Sequence, residues 1–361
     1  MPMIDIKIQR SVAARPPIAI LGVPFDNVTT SEAVAAIEQM IASGRPHYLV
    51  TANVDFLVQA QSDLELRHIL ADAHLVLCDG TPVMWASRLL GNRLPERVAG
   101  ADLVPVLLRV AAHKKYRVFF LGATPESAEQ AVSRLKCEHP SLVIAGHYSP
   151  PISALEDMDH EEIKRRIRQA QPDFLFVAFG CPKAEKWIAT HYRELGVPVT
   201  AGVGATIDFL AGRVKRAPRW MQRAGMEWLF RLAQEPGRLW RRYTRDLWVF
   251  GWRILAQWAL LPRSSAVGLG NTMAYAGGHC ILDLSGIDIL NSTGVGLLLV
   301  LQKKLRESGR ELILASPSRG VQRSLAVMHL DRDFIVAPDL AAAQRLLEPA
   351  MPAFHGELAL S

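Results

Sequence analysis

Asp79 stands in Cys78-Asp79-Gly80-Thr81-Pro82, directly after the apolar run Leu75–Cys78. A carboxylate just beyond a buried strand can take a proton from a substrate hydroxyl. The same residue can equally begin a turn and cap the helix that Thr81-Pro82 opens. Thr51-Ala52-Asn53 follows a second apolar run, and Gly180-Cys181-Pro182-Lys183-Ala184-Glu185-Lys186-Trp187 follows a third. Further along, Arg213–Arg263 holds twelve Arg and Lys against the three acids Glu227, Glu235 and Asp246. That is +9 in a chain of net charge +6, so the remaining residues sum to −3. Six of the eight tryptophans (220, 228, 240, 248, 252 and 258) fall in the same window. Guanidinium and indole groups concentrated in this way point to phosphates or an anionic membrane surface.

Continuous apolar runs occur at Ile18–Leu21, Tyr48–Thr51, Leu75–Cys78, Val118–Leu121, Leu142–Ala145, Phe174–Phe179 and Val197–Val203. Amphipathic stretches near 30–42, 61–71, 82–90, 101–113, 125–137, 160–170 and 183–194 separate them. This alternation predicts an α/β fold, a Rossmann-like and mostly parallel sheet with helices on both faces. In such sheets ligands gather beyond the carboxyl ends of the strands, where the Asp79, Asn53 and Lys183 segments stand. Three units follow: an α/β domain over 17–212, a basic Trp-rich helical appendage over 213–262, and a smaller α/β module over 271–350. Pro218 and Pro236-Gly237 break the appendage into helices, and Pro262–Gly270 reads as a linker. The last module predicts strands at Cys280–Leu284 and Glu311–Ala315, with helices near 293–307, 318–328 and 339–347.

With 361 residues, 50% hydrophobic and 21% charged, the chain is globular, which excludes disordered, collagenous and coiled-coil classes. Cys78, Cys137, Cys181 and Cys280 lack paired C-x-x-C spacing and predict reduced thiols in the cytoplasm. Residues 1–16 carry charges without an apolar core, and no apolar run of about 18 residues occurs, so neither a secretory leader nor a spanning helix is expected. Asp157-Met158-Asp159 spells a D-x-D, but acids before a helix such as Glu161-Glu162 opens are routine. Gly202-Val203-Gly204-Ala205-Thr206 lacks the third glycine of a dinucleotide loop and reads as a tight strand-to-helix turn. The histidines show no metal-ligand spacing, and no metal or other cofactor is expected.

Thr51-Ala52-Asn53, Asp79-Gly80, Leu94-Pro95-Glu96-Arg97-Val98-Ala99-Gly100 and Pro182-Lys183-x-Glu185-Lys186-Trp187 stand in order. They are followed by Arg216-Ala217-Pro218-Arg219-Trp220-Met221-Gln222 and Glu227-Trp228-Leu229-x-Arg231-Leu232. Over roughly 17–245 the chain thereby resembles the bacterial WecG/TagA/CpsF glycosyltransferases. The resemblance implies transfer of a sugar, often an N-acetylhexosamine, from a UDP-sugar to an undecaprenyl-diphosphate-linked acceptor, with inversion and without a metal. By matching position, Asp79 would be the base and Arg97 would meet substrate or diphosphate. Thr51, Asn53, Lys183 and Glu185 would bind substrate, and Arg231, Arg238 and Arg241 would belong to an appendage that closes over the site near the membrane. Inverting transfer needs one base and positive charge where the diphosphate departs, and arginine supplies that charge bidentately. Ala184 stands where the family commonly has Gln. A scaffold that binds a nucleotide sugar without turnover is the alternative. The resemblance further implies a cytoplasmic protein, peripheral on the inner face of the plasma membrane, and a homo-oligomer. No nucleic-acid fold accompanies the basic window, so nucleic acid is not an expected partner.

Leu282-Asp283-Leu284-Ser285-Gly286-Ile287 and Asn291-Ser292-Thr293-Gly294-Val295-Gly296 resemble the STAS fold of anti-sigma-factor antagonists, with the preceding elements shortened. The resemblance implies a protein partner for this module and phosphorylation at Ser292. On residue type alone, Ser292 is a candidate helix N-cap.

Overall fold

The computed structural model describes residues 15–261, 273–276 and 279–347. Ile18–Ile20 (β1) and Val23–Phe25 (β2) form an antiparallel hairpin. In order there follow Thr30–Ala42 (α1), His47–Ala52 (β3), Val54–Gln59 (α2), Leu64–Asp72 (α3) and Leu75–Cys78 (β4). Next come Thr81–Leu89 (α4), Gly100–Lys114 (α5), Arg117–Gly122 (β5), Pro125–Glu138 (α6) and Val143–Tyr148 (β6). His160–Ala170 (α7), Phe174–Ala178 (β7), Lys183–Leu195 (α8), Val199–Gly202 (β8) and Thr206–Ala211 (α9) complete this part.

Strands β3 to β8 make a parallel six-stranded sheet in the order β4-β3-β8-β7-β5-β6. Strands β3, β4, β5, β7 and β8 are buried along most of their length because both faces are covered, whereas the edge strand β6 is only partly buried. Tyr48, Val50, Val76, Leu175 and Val177 enter one core with Trp187, whereas Leu49, Leu75, Leu77, Phe174 and Phe176 enter the other. The period of two sends alternate residues of one strand into two separate cores. Thr124 accepts from the Ser127 N–H and Pro125 opens α6, as the sequence at that strand end predicts.

The run at Ile18–Leu21 departs from expectation, since it pairs with β2 alone and lies outside the parallel sheet. The cause is local. Leu21 (φ 49) and Gly22 (φ 84) both take left-handed backbone, the geometry of the tightest hairpin turns. A two-residue connection can join only antiparallel strands. Neither β2 nor α2 is legible in the sequence, because three and six residues are too few for a periodicity to emerge.

Arg219–Arg223 (α10), Glu227–Gln234 (α11) and Pro236–Leu260 (α12) form the appendage. Pro218 caps α10 and Pro236 opens α12, so both prolines act where the sequence places breaks. Along α12, Leu239, Asp246, Phe250, Ile254, Gln257 and Leu261 are buried, and Trp240, Leu247, Trp248, Trp252 and Leu255 are exposed. The first set, with a two-turn step of seven and then steps of three and four residues, defines the helix face that packs inward.

The C-terminal module comprises Met273–Ala276 (β9), His279–Asp283 (β10), Ser292–Glu307 (α13), Leu312–Ala315 (β11), Arg319–Val327 (α14), Ile335–Ala337 (β12) and Leu340–Arg345 (α15). Its sheet runs β12-β11-β10-β9, with β9 antiparallel and the other pairs parallel. Asn291 is the N-cap of α13, accepting from the Gly294 N–H, so Ser292 is the first helical residue and not the cap. Ala19 of β1 and Leu261 at the end of α12 lie inside this module's apolar cluster. The two folded parts therefore share a core.

Candidate active site

The chain leaves β3 at Ala52, and Asn53 caps α2 by accepting from the N–H groups of Asp55 (3.0 Å) and Phe56 (3.4 Å). Asp79 leaves the neighbouring strand β4, its N–H donating to the Ala52 carbonyl at 2.9 Å. It does not cap α4: Gly80 holds that position at φ 130, with no side-chain cap. The Asp79 carboxyl instead accepts from the Gly100 N–H (3.4 Å) at the start of α5. A methyl at Gly100 would stand 3.0 Å from Thr51 Oγ1, and one at Gly80 would stand 3.7 Å from Asn53 Cβ. Thr51, Asn53 and Asp79 thus converge at the carboxyl ends of adjacent strands, where an open parallel sheet presents its ligand crevice.

Burial raises the Asp79 carboxyl to about 6, against the opposing pull of Arg97, the Gly100 N–H and Arg231, while Glu227 adds to the rise. Arg97 pairs with Asp102 (2.8 Å) and Glu227 (3.3 Å), and Arg216 pairs with the same two acids at 2.5 and 3.3 Å. This ring of two guanidiniums and two carboxylates joins α5 to the appendage. The Arg231 guanidinium lies over the Phe209 ring at 5.1 Å, and that of Arg216 over the same ring at 5.9 Å. Arg231 thus lies within electrostatic reach of Asp79, and Arg216 joins it through the ring that Arg97, Asp102 and Glu227 complete.

Other expected residues lie elsewhere. Lys183 Nζ donates to the Ser153 carbonyl, and Lys183 sits over the Phe179 ring at 5.6 Å. Glu185 is 4% exposed at the start of α8, beside Gly202 at the end of β8, and one of its carboxyl oxygens has no hydrogen-bond partner. Burial pushes its carboxyl up to about 7, opposed only by its own backbone N–H. Ala184 is 1% exposed and packed into a core cluster, so position 184 faces the interior. Arg241 is exposed, and the Arg238 side chain lies outside the described residues.

Composition alone does not single out Arg216, Arg242 and Arg245 from the rest of the basic window. Arg242 and Arg245 lie 3.8 and 3.4 Å from Asp55, two residues beyond Asn53, so α12 spans the mouth of the β3–α2 loop. Arg216 also opens the Arg216–Gln222 block, whereas Arg242 and Arg245 are marked in the sequence only by lying in the basic window. Asp159 of the D-x-D caps α7 by accepting from the Glu162 N–H, and among the described residues no three His, Cys, Asp or Glu converge as a metal set. The arrangement can take a proton at Asp79 and offset negative charge at the arginines above it.

Comparison with known proteins identifies the family. The family described as glycosyl transferase WecG/TagA/CpsF matches residues 18–264, and the STAS domain matches 253–343, so the two overlap in the second half of α12. The chain is 33% identical over 239 residues to proteins named N-acetylglucosaminyldiphosphoundecaprenol N-acetyl-beta-D-mannosaminyltransferase from Staphylococcus aureus strains MW2 and NCTC 8325 / PS 47. The MRSA252 protein of the same name is equally similar. In each case the match covers 66% of this chain and 90% of the relative. With a family match over most of its length and relatives covered to 90% of theirs, the chain belongs to the WecG/TagA/CpsF glycosyltransferases and carries a STAS domain behind the transferase.

Proposed function

We propose that this enzyme transfers an N-acetylhexosamine from a UDP-sugar to a sugar borne on a polyprenyl diphosphate, with inversion at the anomeric carbon. The names of its relatives support the acceptor class and the kind of sugar moved. One observation carries the mechanism, namely the Asp79 carboxyl fixed at the end of β4 by the Gly100 N–H with Arg97 and Arg231 in electrostatic reach. The acceptor hydroxyl oxygen forms the new bond to the anomeric carbon and passes its proton to Asp79. The bond from that carbon to the donor phosphate breaks, and its electron pair leaves on UDP. At about 6, the Asp79 carboxyl is still mostly ionised at pH 7 and is a stronger base than an ordinary aspartate. Arg97, Arg216 and Arg231 offset the charge on the departing diphosphate, a task that guanidinium performs without a metal. Thr51 and Asn53 stand beside the base at the carboxyl ends of β3 and β4.

The substrate's lipid anchor requires the cleft to lie at a membrane surface. Among the described residues no helix is long and apolar enough to span one. The exposed outer face of α12, with Trp248 at 78% exposure, and the arginines beside it suit a peripheral site on the inner leaflet.

Asp79→Asn, assayed with UDP-N-acetylhexosamine and a defined polyprenyl-diphosphate sugar, is expected to lower kcat at least about 100-fold. Undiminished turnover would remove Asp79 from the mechanism. A wild-type chain that binds the nucleotide sugar and yields no product would identify the scaffold instead.

A further inference from the structure

Gln257, at the start of the last turn of α12, is 0% exposed. Its amide Nε2 donates to the Ala19 carbonyl and to Ser292 Oγ, both at 3.0 Å, and its Oε1 accepts from the Leu21 N–H at 3.0 Å. One side chain therefore joins the β1–β2 hairpin, the appendage and the STAS helix α13, with every amide atom satisfied. Removing it would leave the Leu21 N–H buried without its acceptor, which is costly away from water.

The surrounding contacts are equally close. Thr293 Oγ1 donates to Asn92 Oδ1 at 2.8 Å. A methyl at Gly296 of α13 would stand 2.7 Å from the Pro17 carbonyl oxygen, and one at Gly22 would stand 2.6 Å from that of Met328. Each side thus offers a glycine to the other's backbone. Arg67 of α3 donates to the His329 carbonyl at 2.6 Å, and Arg253 of α12 contacts the His329 ring. The turn Asn291-Ser292-Thr293 is covered by the transferase, with Ser292 2% exposed.

We infer that the surface around Ser292 takes the transferase domain of its own chain as partner, and that this docking clamps α12 so that the appendage stays closed over the Asp79 cleft. The path is continuous. Gln257 fixes the carboxyl end of α12. The amino half of the same helix holds Arg242 and Arg245 over Asp55, and Tyr243 meets Trp228 of α11 at 6.2 Å. Helix α11 carries Glu227 and Arg231, the residues that act on Asp79. A fixed helix end limits the tilt of the whole rod, so loosening one end frees the other.

The consequence for turnover rests on the transferase reading; the consequence for motion does not. The test uses the full-length chain with Gln257→Leu, which removes the three hydrogen bonds, and Thr293→Val, a milder change that removes only the link to Asn92. Amide hydrogen exchange is followed separately in the interface segments 18–22, 255–261 and 292–297 and in α10–α11, which makes none of these contacts. The clamp requires exchange in α10–α11 to rise at least five-fold in Gln257→Leu, or in Thr293→Val if the first variant does not fold. It also requires kcat for sugar transfer to fall by a similar factor. Faster exchange confined to the interface segments, with α10–α11 unchanged, would make the STAS domain a passenger and overturn the inference. Faster exchange in α10–α11 from a chain whose wild type transfers no sugar would uphold the clamp and fault the proposed reaction instead.

Discussion

Asp79 illustrates how a candidate catalytic carboxyl works against the fold that holds it. A carboxyl at about 6 in the folded chain, against 3.8 ordinarily, binds its proton more tightly folded than unfolded. Stability is therefore greatest below pH 4 for this group and falls as pH rises through 4 to 6, by about 2 to 3 kcal/mol once both states are ionised. Asp79→Asn removes that cost, so at pH 7 the variant is expected to unfold at a higher urea concentration than the wild type while its turnover collapses. A lower midpoint would mean that the carboxylate is compensated by contacts beyond Gly100. The proposed role of Asp79 as base predicts a kcat/KM that rises through an apparent value near 6 as this carboxyl loses its proton, and a profile flat across pH 5 to 7 would overturn it. Glu227 opposes that ionisation and also occupies Arg97. In Glu227→Gln the acidic limb is expected to move down by about half a pH unit, and an unmoved limb would disconnect the ring of charges from the base. Asp79, Thr51 and Asn53 are recognisable from their places after apolar runs. The partnership of Arg97 with Glu227 is not, because ion pairs across 130 residues of chain depend on where the helices pack.

At the scale of elements, α12 has two faces with two tasks. Its inner residues Asp246, Phe250, Ile254 and Gln257 recur every three or four positions, on the face by which the helix packs on α2 and on the STAS domain. Its outer face leaves Trp240, Trp248 and Trp252 exposed, where an aromatic stripe in the sequence would equally have been read as core. Replacing Trp248 and Trp252 together by Ser is expected to weaken sedimentation with anionic vesicles about ten-fold, with little change in the unfolding midpoint. Unchanged vesicle binding would place the membrane contact on another face. Gly296 provides a counterpart on α13. Gly296→Val must push Pro17 away, and a loss of about 1 to 3 kcal/mol is expected in urea unfolding. A neutral result would show that the hairpin yields freely.

For the molecule as a whole, the shared core decides the cooperativity. Ala19 and Leu261 complete the apolar cluster of the STAS domain, and Arg67, Asp72 and Ala73 of the transferase meet His329, Arg306 and Lys303 of its partner module. Two domains joined only by a linker would melt independently, whereas two that bury each other's backbone melt together. Calorimetry of the full chain is expected to show one transition. Two well-separated ones would mean that the interface is weaker than its contacts.

Much of this protein is fixed by local pattern. Alternating apolar runs and amphipathic stretches specify a parallel sheet, proline and threonine mark where helices begin, and a concentrated basic stretch announces the appendage. These features are legible because strand and helix periods are properties of neighbouring residues. Tertiary structure alone decides that β1 leaves the sheet, that Asn291 rather than Ser292 caps α13, and that Gln257 ties three segments together. It also decides that Ala184 faces the interior while Arg216 faces Asp102 and Glu227. Such outcomes depend on surfaces brought together from distant parts of the chain, and no sequence period encodes the distance between them.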